Sequence, residues 1–556
     1  MAPRSPRPEP VAPPEPAPVI TSRRVSFRNG SIFNARFTAD GRGIAYSAAF
    51  EEDPPRTWVG VLDGAELRPA SAAGTMLFDV SARDEVLTGA PPTEEKESGL
   101  VLSRASLVGT ASRPLYQNVK WADLGPGDLL VLTRHTEDSG YVVECPPGNR
   151  LVTSRDMLAM ARLSPDGKYI AYQRHPVSGD DRGSIEIIDR TGKQLASSKQ
   201  AWTLEGLAWT PDSKEVWFSA GYESVSRQLF SMTLTGVERR VYSGPSSLRL
   251  LDIDARGRVL VVSGLSRSRM FGRLNGEKRE RSLSWLDGSM PIALSDDGKA
   301  ILFLEGYGPA GTEVQTWFRR FGERDETPWM VSIGWGRALS PDKRWAIVAP
   351  TPPFQTLRLV PIETGEPRDL PPGVHNAITA VHFFPNGTAI AFSARDDKGK
   401  GHLFVQSLLT GPEAVGIDPK PRQVGALALQ LVAPPSPDGK WLVGKSRDLG
   451  VTLVDVETGE GKPLPGLLPG DSPLQWSTDG KALWVSRPGR SLFDISSQLL
   501  RYDLATAKLT PNGVIQPPDL VGMGHIKQGV VAPDGKQYVY TVHQELNELI
   551  LIEGVR

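Results

Sequence analysis

Ser164-Pro165-Asp166-Gly167-Lys168, followed at once by the apolar run Tyr169-Ile170-Ala171-Tyr172, decides how this chain folds, because the phrase recurs along the sequence. It returns as Thr210-Pro211-Asp212-Ser213-Lys214, Ser295-Asp296-Asp297-Gly298-Lys299, Ser340-Pro341-Asp342-Lys343-Arg344, Phe384-Pro385-Asn386-Gly387-Thr388 and Ser436-Pro437-Asp438-Gly439-Lys440. Ser477-Thr478-Asp479-Gly480-Lys481 and Ala532-Pro533-Asp534-Gly535-Lys536 close the series, and Thr38-Ala39-Asp40-Gly41-Arg42 opens it. Such a phrase makes a tight turn: Pro presets φ, Asp or Asn bonds its own backbone, and Gly takes the positive φ that a branched residue resists. The interval is 46 residues from Asp166 to Asp212, 45 from Asp297 to Asp342 and 44 from Asp342 to Asn386. A fixed period of this size, with room for four strands per unit, is the mark of β-propeller blades.

From Arg23 onward twelve units can be counted, nine with the full phrase and three with degenerate forms at Ser81-Ala82-Arg83-Asp84, Gly125-Pro126-Gly127-Asp128 and Asp254-Ala255-Arg256-Gly257. Unit four is the most legible, with strands at MARL, YIAYQRH, GSIEIID and QLASSKQ. Propellers usually have four to eight blades, so twelve units predict two rings of about six rather than one large ring. The division expected is a first set of six blades over 23–288 and a second over 289–556. The final unit ends at its third strand, LILIEGVR, while an extra strand precedes the first unit. Residues 24–28 are therefore expected to pair with residues 548–553 and complete the last blade, removing a bare sheet edge. Eight of the first eighteen residues are proline, so residues 1–22 read as an extended, disordered spacer with too little apolar surface to fold.

Composition narrows the function classes. Gly (56) and Pro (48) are abundant, which suits a turn-rich all-β chain. Sixty-three basic residues balance 64 acidic ones, so no global field favours nucleic acid or an anionic membrane. A single cysteine, Cys145, excludes an internal disulfide framework and a cysteine-based zinc site. No apolar run approaches a membrane span and no signal segment opens the sequence, so a cytoplasmic location is expected for the chain as it stands.

The Asp-Gly repeats resemble the TolB-like, WD-repeat-like propellers of bacteria. Longer stretches, RRVSFRNGSIFNARFTADGRGIAYSAAF, RHPVSGDDRGSIEIID, GLAWTPDSKEVWFSA, SLSWLDGSMPIALSDDGKAILF and the ending YVYTVHQELNELILIEGVR, are similar to the propeller found C-terminal to some bacterial serine/threonine protein kinases. The resemblance covers residues 23–556. It implies a kinase domain upstream, often with a membrane helix and a Pro-rich spacer between, and hence an extracytoplasmic propeller when that helix is present. Only the spacer is found in this sequence.

Few residues fall into patterns that carry known chemistry. Kinase catalytic-loop and metal-binding motifs are absent, and so is the GxSxG elbow of α/β-hydrolases. Gly306-Tyr307-Gly308-Pro309-Ala310-Gly311 matches GxGxxG but lies between two strands, with no helix N-terminus to meet a phosphate, and reads as a hairpin loop. His135, His175, His375, His382, His402, His525 and His543 form no close metal pair. The recurring tryptophans, Trp121, Trp209, Trp217, Trp285, Trp441, Trp476 and Trp484, read as inter-blade packing. Asp180, Asp181 and Arg182, in a Gly-flanked loop of unit four, are the candidate partner-contact residues, set against a plain solvated turn. No catalytic residue, cofactor or metal is expected. The sequence thus favours a non-catalytic module binding a protein or peptide partner. The alternative is a hydrolase or lyase whose carboxylates and histidines gather in a propeller channel.

Overall fold

The structure, a computed structural model, describes residues 19–555 apart from 29, 51–52, 63, 65, 93–98, 108–110, 137, 177–180, 224, 275, 307–312, 323–325, 351–353, 372–376, 397–398, 410–419 and 490–493. Among these residues every regular element is a β-strand except one 3-10 turn at Pro126–Asp128. No described helix is long and apolar enough to cross a membrane.

The repeated phrase folds as its chemistry requires. In unit four the Gly167 N–H donates to the Ser164 carbonyl (2.8 Å), while φ at Gly167 is +71°. The Asp166 carboxylate accepts the Lys168 N–H at 3.1 Å and the Ser164 hydroxyl at 2.7 Å. That hydroxyl in turn accepts the Tyr169 N–H at 2.9 Å. The opening Ser or Thr is therefore a working part of the turn. The same bonds recur at Ser295, Ser340 and Ser436. Where the phrase lacks its glycine the backbone keeps the positive φ, at Ser213 (+59°) and Lys343 (+60°), and in the degenerate units at Asp84 (+57°) and Asp128 (+61°).

Eight antiparallel four-stranded sheets follow from these turns, together with one seven-stranded and one six-stranded sheet. The strands legible in unit four are Met157–Leu163, Tyr169–His175, Ser184–Asp189 and Gln194–Ser197, paired in that order. The larger sheets depart from the expected separate units because strands run through without a turn. Ser112–Gly125 is one strand that pairs first with Leu100–Ser106 and then with Leu129–Thr136, fusing units two and three. Val259–Arg273 and Tyr538–Glu553 pair along their whole lengths as a long two-stranded ribbon. One half of the ribbon carries Ser247–Ile253, and the other half carries Met523–Val531 and Arg281–Ser282.

The N-terminal strand is Thr21–Arg24, paired with Ile550–Glu553, and lies slightly earlier in the chain than residues 24–28. Val25 adds a bond to the Leu549 carbonyl at 2.8 Å, and the Ser26 hydroxyl accepts the Leu549 N–H at 2.9 Å. Phe27, 71% exposed, then turns away from the sheet. Thr21 and Ser22, at the end of the Pro-rich segment, already belong to this strand, whereas residues 1–18 lie outside the described ones.

The first strand of each unit packs on the first strand of the next. Gly30–Phe37 touches Met76–Val80, which touches Ser112–Gly125, then Met157–Leu163, Thr203–Trp209 and Ser247–Ile253, and the last touches Gly30–Phe37 again. A second series runs through Met290–Leu294, Trp335–Leu339, Ala377–Phe383, Gln430–Ala433, Ser472–Trp476 and Met523–Val531, and likewise returns to its start. These are called here the first and second circuits. The core lies between neighbouring sheets: Ile185 and Ile187 of one pack with Leu204 and Phe218 of the next. This is how two-residue alternation buries both faces of each sheet.

Candidate functional site

The inner strands of the first circuit bring charged residues together at one level, two residues before the opening residue of each turn. Arg36, Asp79, Asp123, Arg162 and Asp252 occupy this position in five of its six units, and Ala208 in the sixth. The Arg36 Nε donates to Asp79 at 3.1 Å. Arg162 donates to Asp123 and Asp252, each at 3.1 Å, and its Nη1 reaches the Leu207 and Leu251 carbonyls, each at 3.0 Å. The second carboxylate oxygens pin neighbouring sheets: Asp79 accepts the Leu124 N–H (2.7 Å), Asp123 that of Leu163 (2.9 Å) and Asp252 that of Phe37 (3.0 Å).

Three carboxylates meet two guanidiniums here, out of water, so the cluster carries one excess negative charge and one carboxyl must give way. Burial first, then the charge of Asp79, push the Asp123 carboxyl up to about 7. Against the cost of burial, Asp123, Asp252 and Asp79 hold the Arg162 guanidinium above its ordinary value. An unfolded aspartate titrates near pH 3.9, so folding binds a proton at Asp123 between about pH 4 and 7. Its stabilising contribution is full below that window and is lost as pH rises through it. Asp123→Asn stays neutral throughout. Urea titrations at pH 4.5, 6 and 7.5 should show the wild type losing stability relative to Asp123→Asn as pH rises; a constant or opposite difference would refute the buried proton.

At the other end of these strands a second ionic group joins the first circuit to the ribbon. Glu205 binds Arg249 and Arg227, each at 2.9 Å. His543 lies 3.5 Å from Glu545 and 2.9 Å from the Ser266 hydroxyl. Despite burial, His543, Arg249 and Arg227 draw the Glu545 carboxyl down to about 2. Most charged atoms of both groups are engaged with one another, the exceptions being one buried guanidinium nitrogen each of Arg36 and Arg227, which suits a lock between sheets better than a reacting centre.

The described end of the candidate loop meets the start of Thr203–Trp209. Asp180 and the rest of 177–180 lie outside the described residues, as do 307–311 of the GxGxxG match and His375. Asp181 is exposed, and its carbonyl accepts the Leu204 N–H at 2.9 Å. The Arg182 guanidinium stands 5.4 Å from the ring centroid of Trp202, which is 52% exposed. Near this loop is a cleft of about 290 Å³ lined by residues that include Asp156, Arg174, Ser184 and Glu186. Arg174 binds Asp156 at 2.7 Å. Among the described residues Glu186 accepts from neutral donors, Ser184 (2.8 Å), Ser197 (3.0 Å) and Gln194 (2.6 Å).

Sequence reasoning singled out Asp181 and Arg182 but missed the axial ion cluster. The signal was present as a charged residue two places before the turn in successive units, visible only once the units are aligned on the turn. Among the described residues no three His, Cys, Asp or Glu side chains are placed to hold a metal. Several tryptophans pin sheets through their indole N–H groups, as Trp209 does to the Arg162 carbonyl (3.0 Å) and Trp484 to Pro533 (3.0 Å). Trp285 instead is 40% exposed, beside Trp317.

No protein-family model matches the chain, and no curated protein does. Solved structures similar to it include a putative TolB from Agrobacterium tumefaciens, at 17% identity and TM-score 0.37, covering 51% of this chain and 99% of that one. Tricorn protease matches at 12% identity and TM-score 0.31 over 92% of this chain, which spans 61% of that protein. A GH74 enzyme of Niastella koreensis matches at 10% identity and TM-score 0.31, covering 92% and 90% of the two chains.

Proposed function

We propose that this chain is a non-catalytic binding module built as two six-bladed TolB-like rings, each circuit of inner strands forming one ring and the ribbon joining them. The partner is a protein or peptide. By the family its sequence resembles, the module is the sensing or docking part of a bacterial serine/threonine kinase signalling system. The observation that carries the binding reading is the contrast between axis and loop face. The axial charges of the first circuit are mostly paired with one another, whereas Trp202 is exposed, with Arg182 over its ring, two residues along from Gln200 on the lining of an open cleft. The raised pKa of Asp123 next to Asp79 favours an enzyme in the channel. It does not carry that reading, because Asp123 is buried with its two oxygens bonded to Arg162 and Leu163.

The test is capture of a partner by the immobilised chain, compared with the double variant Arg182→Glu/Trp202→Ala. Exposed loop changes usually alter stability by less than about 0.5 kcal/mol, so the variant should melt close to the wild type while losing at least tenfold in capture. Equal capture by both would remove this face from the proposal. Phosphate transfer from ATP by the purified chain would overturn the non-catalytic reading itself.

A further inference from the structure

The second circuit carries, at the level where the first is filled by charge, a different set of side chains. Counting two residues back from each turn gives Ala293, Ala338, His382, Pro434, Gln475 and Val530. None is charged, four are apolar, and all but Ala338 retain accessible surface. In the first circuit the corresponding side chains meet across the axis: Arg162, on the fourth inner strand, bonds Asp252 on the sixth. By the shared repeat geometry the second set corresponds to the residues that meet across the axis in the first, and none of its side chains is as long as Arg36 or Arg162.

His382 is half-buried, and neither of its ring nitrogens has a partner among the described residues. Desolvation alone draws its pKa down to about 4, because protein packs around much of the ring. The Gln475 carbonyl oxygen accepts the Trp476 N–H at 2.8 Å, and its amide N–H groups have no partner among the described residues. Unpaired polar groups facing an apolar-walled space are the usual makings of a ligand site.

We propose that the second circuit encloses an open axial channel taking an uncharged ligand, a slender apolar body bearing one hydroxyl or amide, held by the His382 imidazole and the Gln475 carboxamide. The inference rests on the ring reading given above. A charged ligand is disfavoured because this level of the channel offers no counter-charge to offset its desolvation.

Diethyl pyrocarbonate, a small neutral reagent that acylates unpartnered imidazole nitrogens, tests the channel on the full chain when each histidine is followed by peptide mass spectrometry. His382 is expected to react. Val530→Phe, across the axis, should slow it at least tenfold while His135 reacts as before; Ala293→Leu is the milder block should Val530→Phe fold poorly. N-methylacetamide should protect His382 saturably, and acetate and tetramethylammonium should not. An unreactive His382 in the folded chain means a sealed core and overturns the channel. Equal reaction in the blocked variants means an open surface and overturns the ring reading with it. Protection by acetate or tetramethylammonium equal to that by the amide overturns the uncharged class. Partner capture by the Trp202 face is read separately, so either proposal can fail alone.

Discussion

Replacing Arg162 with Met will destabilise the first circuit by about 3–5 kcal/mol, the cost of breaking a buried ion pair from one side. Met keeps much of the side-chain volume but donates nothing. Asp123 and Asp252 lose their guanidinium, and the Leu207 and Leu251 carbonyls lose a donor. Those two carbonyls lie on the fifth and sixth inner strands of the circuit, so a single side chain ties sheets that are far apart in sequence. The loss should appear as a lower urea midpoint for the transition of residues 30–264, read by hydrogen exchange on peptides from that segment, with the second circuit little changed. Adding Asp123→Asn and Asp252→Asn to Arg162→Met should recover much of it, since a neutral network leaves no uncompensated charge. No recovery in the triple variant would mean that Arg162 acts through packing, and the electrostatic account would fall.

Much of this architecture was legible in the sequence. The turn phrase predicted its own hydrogen bonds down to the positive φ at Gly167 and Gly439, because turn chemistry is local and a few residues contain all of it. The all-β class and the four strands of unit four followed from alternation between turns. Strand sharing was not legible. Ser112–Gly125 and Tyr538–Glu553 pass from one set of partners to another with no Gly or Pro at the change, the lone Gly264 where Val259–Arg273 changes partners lacks the rest of the turn phrase, and pairing partners are set by contacts distant in the chain. The axial cluster stayed hidden for a related reason. Arg36 and Asp79 are ordinary residues taken singly, and their meaning lies in the closure that brings them within 3.1 Å. Of the partner-contact loop, only Asp181 and Arg182 can be placed, and the aromatic that gives it character, Trp202, lies on the following unit and was not singled out.

Gly206→Ala is the second change with a large expected effect, about 3–5 kcal/mol. Gly206 sits at the register shift of Thr203–Trp209 with φ +75°. A side chain held in the left-handed region costs about 1–2 kcal/mol. The remainder comes from close approach: an added Cβ would stand 2.2 Å from the Leu250 carbonyl oxygen and 2.9 Å from its nitrogen, both backbone atoms that cannot rotate aside. Relief requires moving the fifth and sixth inner strands apart, which strains the Ser219–Leu250 hydrogen bond (2.8 Å) and the Glu205–Arg249 pair (2.9 Å) on either side. Gly257 supplies the control: it has the same φ of +75°, and an added Cβ there would meet nothing within 4 Å. Gly257→Ala should therefore cost only the conformational part, about 1–2 kcal/mol. The difference between the two variants in urea denaturation isolates the contact between neighbouring inner strands, and with it the tightness of the circuit. If both alanines cost the same, the close approach at Gly206 relaxes without resistance, and the strands around the first axis are less firmly held than the ion pairs and bulge imply.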